Sequence, residues 1–332
     1  MLKLSEIARL RRTVDASWRS PVADAAASAW GLPAGAARFW RSSASHVFVV
    51  PAASPGGPAY LRFVPAGSAH ALAMARGAET MQRWDDAGLP VTRPVPSSAG
   101  RLTEQVETED GEVVAMLVPA ASGEELELEE LSAEQASLWG AVLAQVHSAS
   151  VSLERAPTPS RPRHDADLGD LRTDPGFVRA ATTIEAAVAA LDSSTHARGT
   201  IHGDFELDNL RFDAGRITFF DADETRSGWL AADVALAVRD LTGVTLDGEP
   251  HPELLAAFLA GYRNERTFTS EEESSLPLFG LAASVSLVLD LDRALDLDER
   301  DDDADWLAEL RRNLHRHRRW HRDRVLASVA VA

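Results

Sequence analysis

Between Ile201 and Glu224 the chain reads IHGDFELDNLRFDAGRITFFDADE, and carboxylates crowd it, among them Asp204, Glu206, Asp208, Asp221, Asp223 and Glu224. Like charges at this density repel one another, and each loses stabilising water wherever it is buried. Such a stretch is tolerated when the acids are solvated, when basic residues pair them, or when a cation arrives. Asp204 lies five residues before Asn209, and Asp221 lies seventeen after Asp204, closing the apolar run 217–220. An Asp and an Asn on one tight loop, with a second Asp leaving a neighbouring strand, suit phosphoryl transfer. The first Asp orients an attacking hydroxyl and accepts its proton, and the Asn and the later Asp offer hard oxygen ligands to Mg²⁺ on ATP phosphates.

The elements that hold these residues must come from 332 residues, 45% of them hydrophobic, with a net charge of −18 and no cysteine. That length supplies one large domain or two lobes, and the missing cysteines exclude disulfide and thiolate chemistry. The acidic balance argues against a nucleic-acid partner, which needs a basic footprint. No apolar run has the length of a membrane span, and MLKLSEIARLRRTVDASW lacks the apolar core of a signal peptide, so no membrane partner is expected and the cytoplasm is the expected location.

Residues 1–31 are expected to be helical. Short β-type runs follow at 45–50 and 59–64, split by PAASPGGP, which reads as an antiparallel pair. A helix is expected from about Ala69 to Ala87, closed by Gly88 with Pro90 beyond, and two more strands at 100–106 and 112–118. Past Pro119 the texture becomes helical, with helices at 131–149 and 174–192, a loop at 152–165, and helical patterning throughout after Ala231. The expected fold class is therefore α+β: a β-rich N-terminal lobe at 1–119 and a larger helical lobe at 120–332, with a cleft between them as the usual place for a ligand. The acidic run near 290–305 reads as a solvated helix end. The basic run 311–324 reads as a C-terminal helix whose arginines offset the chain's own acid.

His202-Gly203-Asp204 followed by Asn209, then Phe220-Asp221-x-Asp223, then Asp233-Val234-Ala235, resembles in order and spacing the signature of the aminoglycoside phosphotransferase family. That family has a bilobal protein-kinase-like fold and includes antibiotic, choline, homoserine and fructosamine kinases and a bacterial stress-response protein kinase. The resemblance implies ATP and Mg²⁺ as cofactors. It implies Asp204 as catalytic base, Asn209 and Asp221 as metal ligands, His202 as a brace of the catalytic loop, and Asp233 as a buried anchor receiving that loop's N–H groups.

In the first lobe the resemblance is weaker but in order. Arg62 in AYLRFV stands where many members carry a phosphate-binding lysine, and it keeps the charge with a forked donor set. Glu79 would be its helix partner. Ser42, Ser43 and Ser45, in the glycine-free RSSAS, would cover the phosphates, and the backbone around Met116 and Val118 would receive adenine. Glu206, Asp208, Asp223 and Glu224 are candidate acceptor-facing acids; arginines such as Arg226 or Arg239 would otherwise neutralise them.

The reading is an ATP- and Mg²⁺-dependent phosphotransferase acting on a hydroxyl of a small molecule, a cationic amine or amino sugar being favoured by the local acid. The alternatives are a serine/threonine protein kinase of the stress-response type and a nucleotide-binding pseudokinase. Only eleven residues separate Asp221 from Asp233, too few for a long peptide-docking segment.

Overall fold

The computed structural model describes residues 1–53, 57–153, 174–246, 248–300 and 303–330. The chain divides into two compact units, one made of residues 1–122, 218–225 and 294–307, the other of 123–217, 226–293 and 308–332.

The first unit is built on a five-stranded antiparallel sheet in the order β1-β2-β3-β5-β4, with β1 at Arg38–Ser42, β2 at His46–Ala53, β3 at Gly57–Pro65, β4 at Glu104–Thr108 and β5 at Gly111–Pro119. Alternation along the strands sends Phe48, Val50, Leu61, Phe63, Ala115 and Leu117 to one face, where the alanines of helix α2 (Pro21–Ser28) close over them. Arg62 pairs in register with Met116, and Tyr60 with Val118, so Arg62, Met116 and Val118 share the other face. β1, which sequence patterning did not separate from the serine-rich loop, forms an edge of the sheet.

The N-terminal region is two helices rather than one. α1 (Leu4–Thr13) ends where the Asp15 carboxylate accepts the backbone N–H groups of Ser17 (2.7 Å) and Arg19 (2.9 Å). α2 starts afresh from Ser20, whose hydroxyl caps it ahead of Pro21. α3 (Ala69–Asp86) is capped by Ser68 and followed by Gly88 at φ +83°, close to the expected bounds. Residues 218–225 join this unit through Phe219, whose backbone bonds Pro90 and Thr92 at 2.9 and 3.0 Å and whose ring meets Trp84 edge-on.

The second unit is mostly helical: α4 (Ala133–Leu153), α5 (Pro175–Ala189), α6 (Leu230–Ala237), α7 (Pro252–Glu265), the short α8 (Ser270–Ser274), and most of α9 (Leu276–Ala294) and α10 (Asp305–Ala330). Two strand pairs interrupt it. β6 (Arg198–Ile201) lies antiparallel to β9 (Arg226–Trp229), and β7 (Leu210–Asp213) pairs with β8 (Arg216–Phe219) around Ala214-Gly215. The helix expected throughout after Ala231 breaks at 238–251, where Thr242 and Pro250 bridge instead. Most of the expected 152–165 loop lies outside the described residues, as do 301–302 of the acidic run.

α4 and α7 touch backbone to backbone: a Cβ on Gly140 would overlap the Phe258 carbonyl, and one on Gly261 the Ser137 carbonyl. Glycine is used there because nothing larger fits. Among the described residues no helix is long and apolar enough to cross a membrane.

Candidate active site

In the first unit Ser45, Asp221 and Asp223 gather around Arg62. Its guanidinium, 7% exposed, reaches Asp223 at 2.7 Å, Asp221 at 3.0 Å and the Ser45 hydroxyl at 3.2 Å. Burial works against this cation, but the two aspartates outweigh it and hold Arg62 above its ordinary value. One guanidinium does not balance two carboxylates. Burial, together with the charges of Asp221 and Glu224, raises the Asp223 carboxyl to about 7 despite Arg62. Asp223 Oδ1 is buried without a hydrogen-bond partner. An orphaned carboxylate oxygen beside unbalanced acid fits a cation. Asp221 itself sits at φ +66°, ψ +66°, a left-handed conformation that non-glycine residues adopt at a cost and that recurs at ligand sites. Among the described residues no three His, Cys, Asp or Glu side chains form a metal cage; an Mg²⁺ that bridges phosphates needs only one or two protein carboxylates.

Glu79 is not the partner of Arg62. It is exposed on α3, and Asp223 occupies the position at the guanidinium that Glu79 was expected to fill. The face of α3 turned to this group carries Gly77, where a Cβ would come within 2.9 Å of the Ala222 backbone and of Asp223 Oδ1. Two positions along a 3.6-residue helix, Glu79 points about 200° away. Asp223 therefore belongs to the Arg62 cluster rather than to an acceptor surface.

In the loop 42–45 the Ser42 hydroxyl bonds the His46 ring at 2.8 Å, Ser43 N–H donates to the Ser45 carbonyl at 3.0 Å, and Ser45 holds Arg62. None of these residues has positive φ, so the loop has no need of glycine. Met116 and Val118 are buried. The Leu117 carbonyl turns away from β3 to accept Val95 N–H at 2.8 Å. Because antiparallel pairs alternate, the backbone groups of Met116 and Val118 face β3.

In the second unit, β6 delivers the HGD loop to Asp233 on α6. This fully buried carboxylate accepts the backbone N–H groups of His202 (2.7 Å) and Gly203 (2.8 Å) and pairs with His147 Nε2 at 2.9 Å. Burial pushes Asp233 up, but the His147 hydrogen bond, the His147 and His202 charges and the Gly203 N–H together bring it below the usual carboxylate range. Gly203 takes φ +85° to make the turn. Asp204 then emerges half-buried, with its N–H on His202 Nδ1 at 3.3 Å. Asn209 Nδ2 donates to both the backbone oxygen and Oδ2 of Asp204, each at 2.9 Å, which leaves the Asn209 amide oxygen for another partner.

Glu206 is buried and ion-paired to Arg239, so it does not present a free carboxylate. Burial raises its pKa well above the ordinary value, Arg239 only partly opposing, with Asp204, Asp240 and Asp208 adding to the rise. Asp208 is exposed and Glu224 half-buried.

Two residues of this unit escaped the sequence. His147, at the end of the α4 stripe, sits fully buried between Asp233 and the Tyr262 hydroxyl, which lies 2.6 Å from His147 Nδ1 on α7. A histidine trailing an apolar stripe was the only signal, and it does not name a partner.

The sequence profile of the phosphotransferase enzyme family matches residues 37–271. The homoserine kinase of Pseudomonas aeruginosa (strain LESB58) is 39% identical over 98 residues, a match that spans 28% of this chain and 30% of that kinase. The chain thus matches under a third of the length of its curated relative. Among solved structures, an amicoumacin kinase in complex with AMP-PNP, Ca²⁺ and Ami superposes with a TM-score of 0.68 at 17% identity, over 87% of this chain and 88% of that one. A microcompartment-associated aminopropanol kinase gives 0.60 at 20% identity, over 88% and 92%. At these identities the likeness is one of fold.

Proposed function

Since the chain belongs to the phosphotransferase enzyme family, we propose that it transfers the γ-phosphate of ATP, carried with Mg²⁺, to a hydroxyl of a small molecule that bears an amine. Asp204 accepts the proton of the acceptor hydroxyl as its oxygen bonds the γ-phosphorus and the bond to the ADP oxygen breaks, giving a phosphate monoester and ADP. Arg62 offsets phosphate charge. Asn209 and Asp221 are the oxygen ligands for Mg²⁺, which when bound neutralises charge on the transferred group.

The observation that carries this reading is the loop geometry. Asp233 pins two successive backbone N–H groups, and Asn209 braces the Asp204 carboxylate, so a proton acceptor is pre-oriented by the buried interior. The amine is supported by charge. Around Glu206 and its ion-pair partner Arg239 stand the carboxyl groups of Asp204, Asp208 and Asp240, a field that favours a cation. Aminopropanol and homoserine, named in two of the relatives, are both amino alcohols. A small acceptor is favoured over a protein because the stretch after Glu224 runs directly into β9, which is paired with β6, leaving no long segment to dock a peptide.

The test is ATP turnover over a panel of amino alcohols, neutral alcohols and peptides, with Mg²⁺ varied. Asp204→Asn should abolish turnover yet bind nucleotide, and Asn209→Ala and Asp221→Ala should raise the Mg²⁺ requirement. Full turnover by either alanine variant at limiting Mg²⁺ would remove that ligand, and phosphorylation of peptides alone would replace the small-molecule reading.

A further inference from the structure

On α10 two arginines of the basic run pair with acid. Arg318 pairs with Asp292, and Arg322 reaches Asp174 at 2.8 Å. Arg324 does not. It is half-buried, and its Nη1 donates to two uncharged oxygens, the Gly280 carbonyl at 2.8 Å and the Ser284 hydroxyl at 2.6 Å. Burial holds it below the ordinary arginine value, and no carboxylate among the described residues opposes the effect. In a chain with 51 acids against 33 basic residues, Arg324 is set apart by having no acid partner among the described residues.

The neighbours of Arg324 are also basic. His321 Nδ1 sits 3.0 Å from the same Ser284 hydroxyl. Burial, then the charges of Arg324, Arg239 and His317, hold His321 down near 4, so the imidazole is neutral and able to donate or accept at physiological pH. Gly280 makes room, since a Cβ there would lie 3.1 Å from Arg324 Nη2. Arg239 is a charge felt by both this cluster and the catalytic loop. Its charge acts on His321, and its guanidinium pairs with Glu206, two residues after Asp204.

We propose that Arg324, with Ser284 and His321, binds a carboxylate of the acceptor, so that the substrate is an alcohol carrying both an amine and a carboxylate. With Nη1 engaged twice, the guanidinium keeps Nε and Nη2, the side-on pair of parallel N–H groups that matches the two oxygens of a carboxylate. A ligand carboxylate supplies the counter-charge that this half-buried cation does not find among the described residues. The inference rests on the kinase reading above and narrows its acceptor.

Matched acceptors test it: homoserine against 3-amino-1-propanol, and threonine against 1-amino-2-propanol, each pair differing only in the carboxylate. The wild type should favour the carboxylated member at least tenfold in kcat/KM. Arg324→Gln should collapse that ratio, and Arg324→Lys, which keeps charge without the fork and serves if the glutamine variant fails to fold, should give an intermediate one. In parallel, calorimetric titration of the same compounds into wild type and variants reads binding without turnover. Equal or better use of the decarboxylated members, or carboxylate binding untouched by both substitutions, overturns the proposal and leaves the kinase standing. If no acceptor in either series is phosphorylated while carboxylate binding still depends on Arg324, the amino-alcohol kinase reading fails and the anion site holds.

Discussion

Asp233→Asn changes one atom at the centre of the second unit. Oδ2 of Asp233 accepts both His202 N–H and His147 Nε2, and Oδ1 accepts Gly203 N–H. An amide keeps one oxygen. Placed best, that oxygen takes the doubly bonded site and the new NH₂ faces the Gly203 N–H, donor against donor. A buried donor left unsatisfied costs ~1–3 kcal/mol, and the two remaining bonds fall from charge-assisted to neutral strength, ~1 kcal/mol each. The sum is about 3–5 kcal/mol, a large share of the roughly 5–15 kcal/mol that holds a domain folded. The assay is urea unfolding of wild type and variant between pH 7 and pH 3. Because the folded Asp233 lies below its unfolded value of 3.8, its contribution is complete above that value and is lost as pH falls through the folded one. The gap between the two proteins should therefore be full at pH 7 and narrow below about pH 4. A gap under ~1 kcal/mol at neutral pH, or one that does not narrow in acid, would refute the reasoning.

Three other substitutions have defined outcomes. Burial, with a smaller push from Arg9, depresses His46 from 6.5 to about 3. Wild type should lose stability by up to ~1.4 kcal/mol per pH unit below about 6.5 as the unfolded chain takes the proton, and His46→Gln should show a flatter profile; parallel profiles would remove the buried neutral imidazole. Gly77→Ala should lower stability by ~1–3 kcal/mol through overpacking and raise the KM for ATP by displacing Asp223 from Arg62. A variant stabilised, as helix propensity alone would have it, would deny the close approach to Ala222. Gly261→Ala should cost more than ~3 kcal/mol or prevent soluble accumulation, because the obstructing atom is the Ser137 backbone oxygen; wild-type urea unfolding of this variant would contradict that contact.

What the sequence made legible was local and polar. HGD with Asn209 and the later aspartates are spaced along a single stretch of chain, and Asp233 receives the loop's N–H groups as expected of it. The strands of the first unit were visible in their alternation, and α3 in its caps. What stayed hidden depended on rotation or on distant chain. Whether Glu79 or Asp223 meets Arg62 turns on which face of α3 is glycine, and nothing in GAETMQRW states what packs against Gly77. The break between α1 and α2 is a side-chain turn by Asp15 that helical patterning passes over. The turn of the Leu117 carbonyl away from β3 follows from hydrogen-bond parity in a ladder whose register needs both strands. Tyr262 lies 115 residues from His147, a separation across which no periodicity carries.

The glycine contact between α4 and α7 has a consequence for how such an enzyme can diverge. Gly140 precedes His147 by two helical turns, and Gly261 adjoins Tyr262. The place where the backbones touch thus sets the register at which imidazole and phenol meet, and a slip of one turn, 5.4 Å, would part them. Neither glycine can drift to a larger residue without moving a carbonyl of the opposite helix. This pair is thereby closed to gradual substitution, whereas α9 and α10 meet at Gly280 and Ser284 through the long Arg324 side chain, whose flexible end can give way as residues change one at a time. Changes in a lineage would accumulate on that second pair while the first stayed fixed.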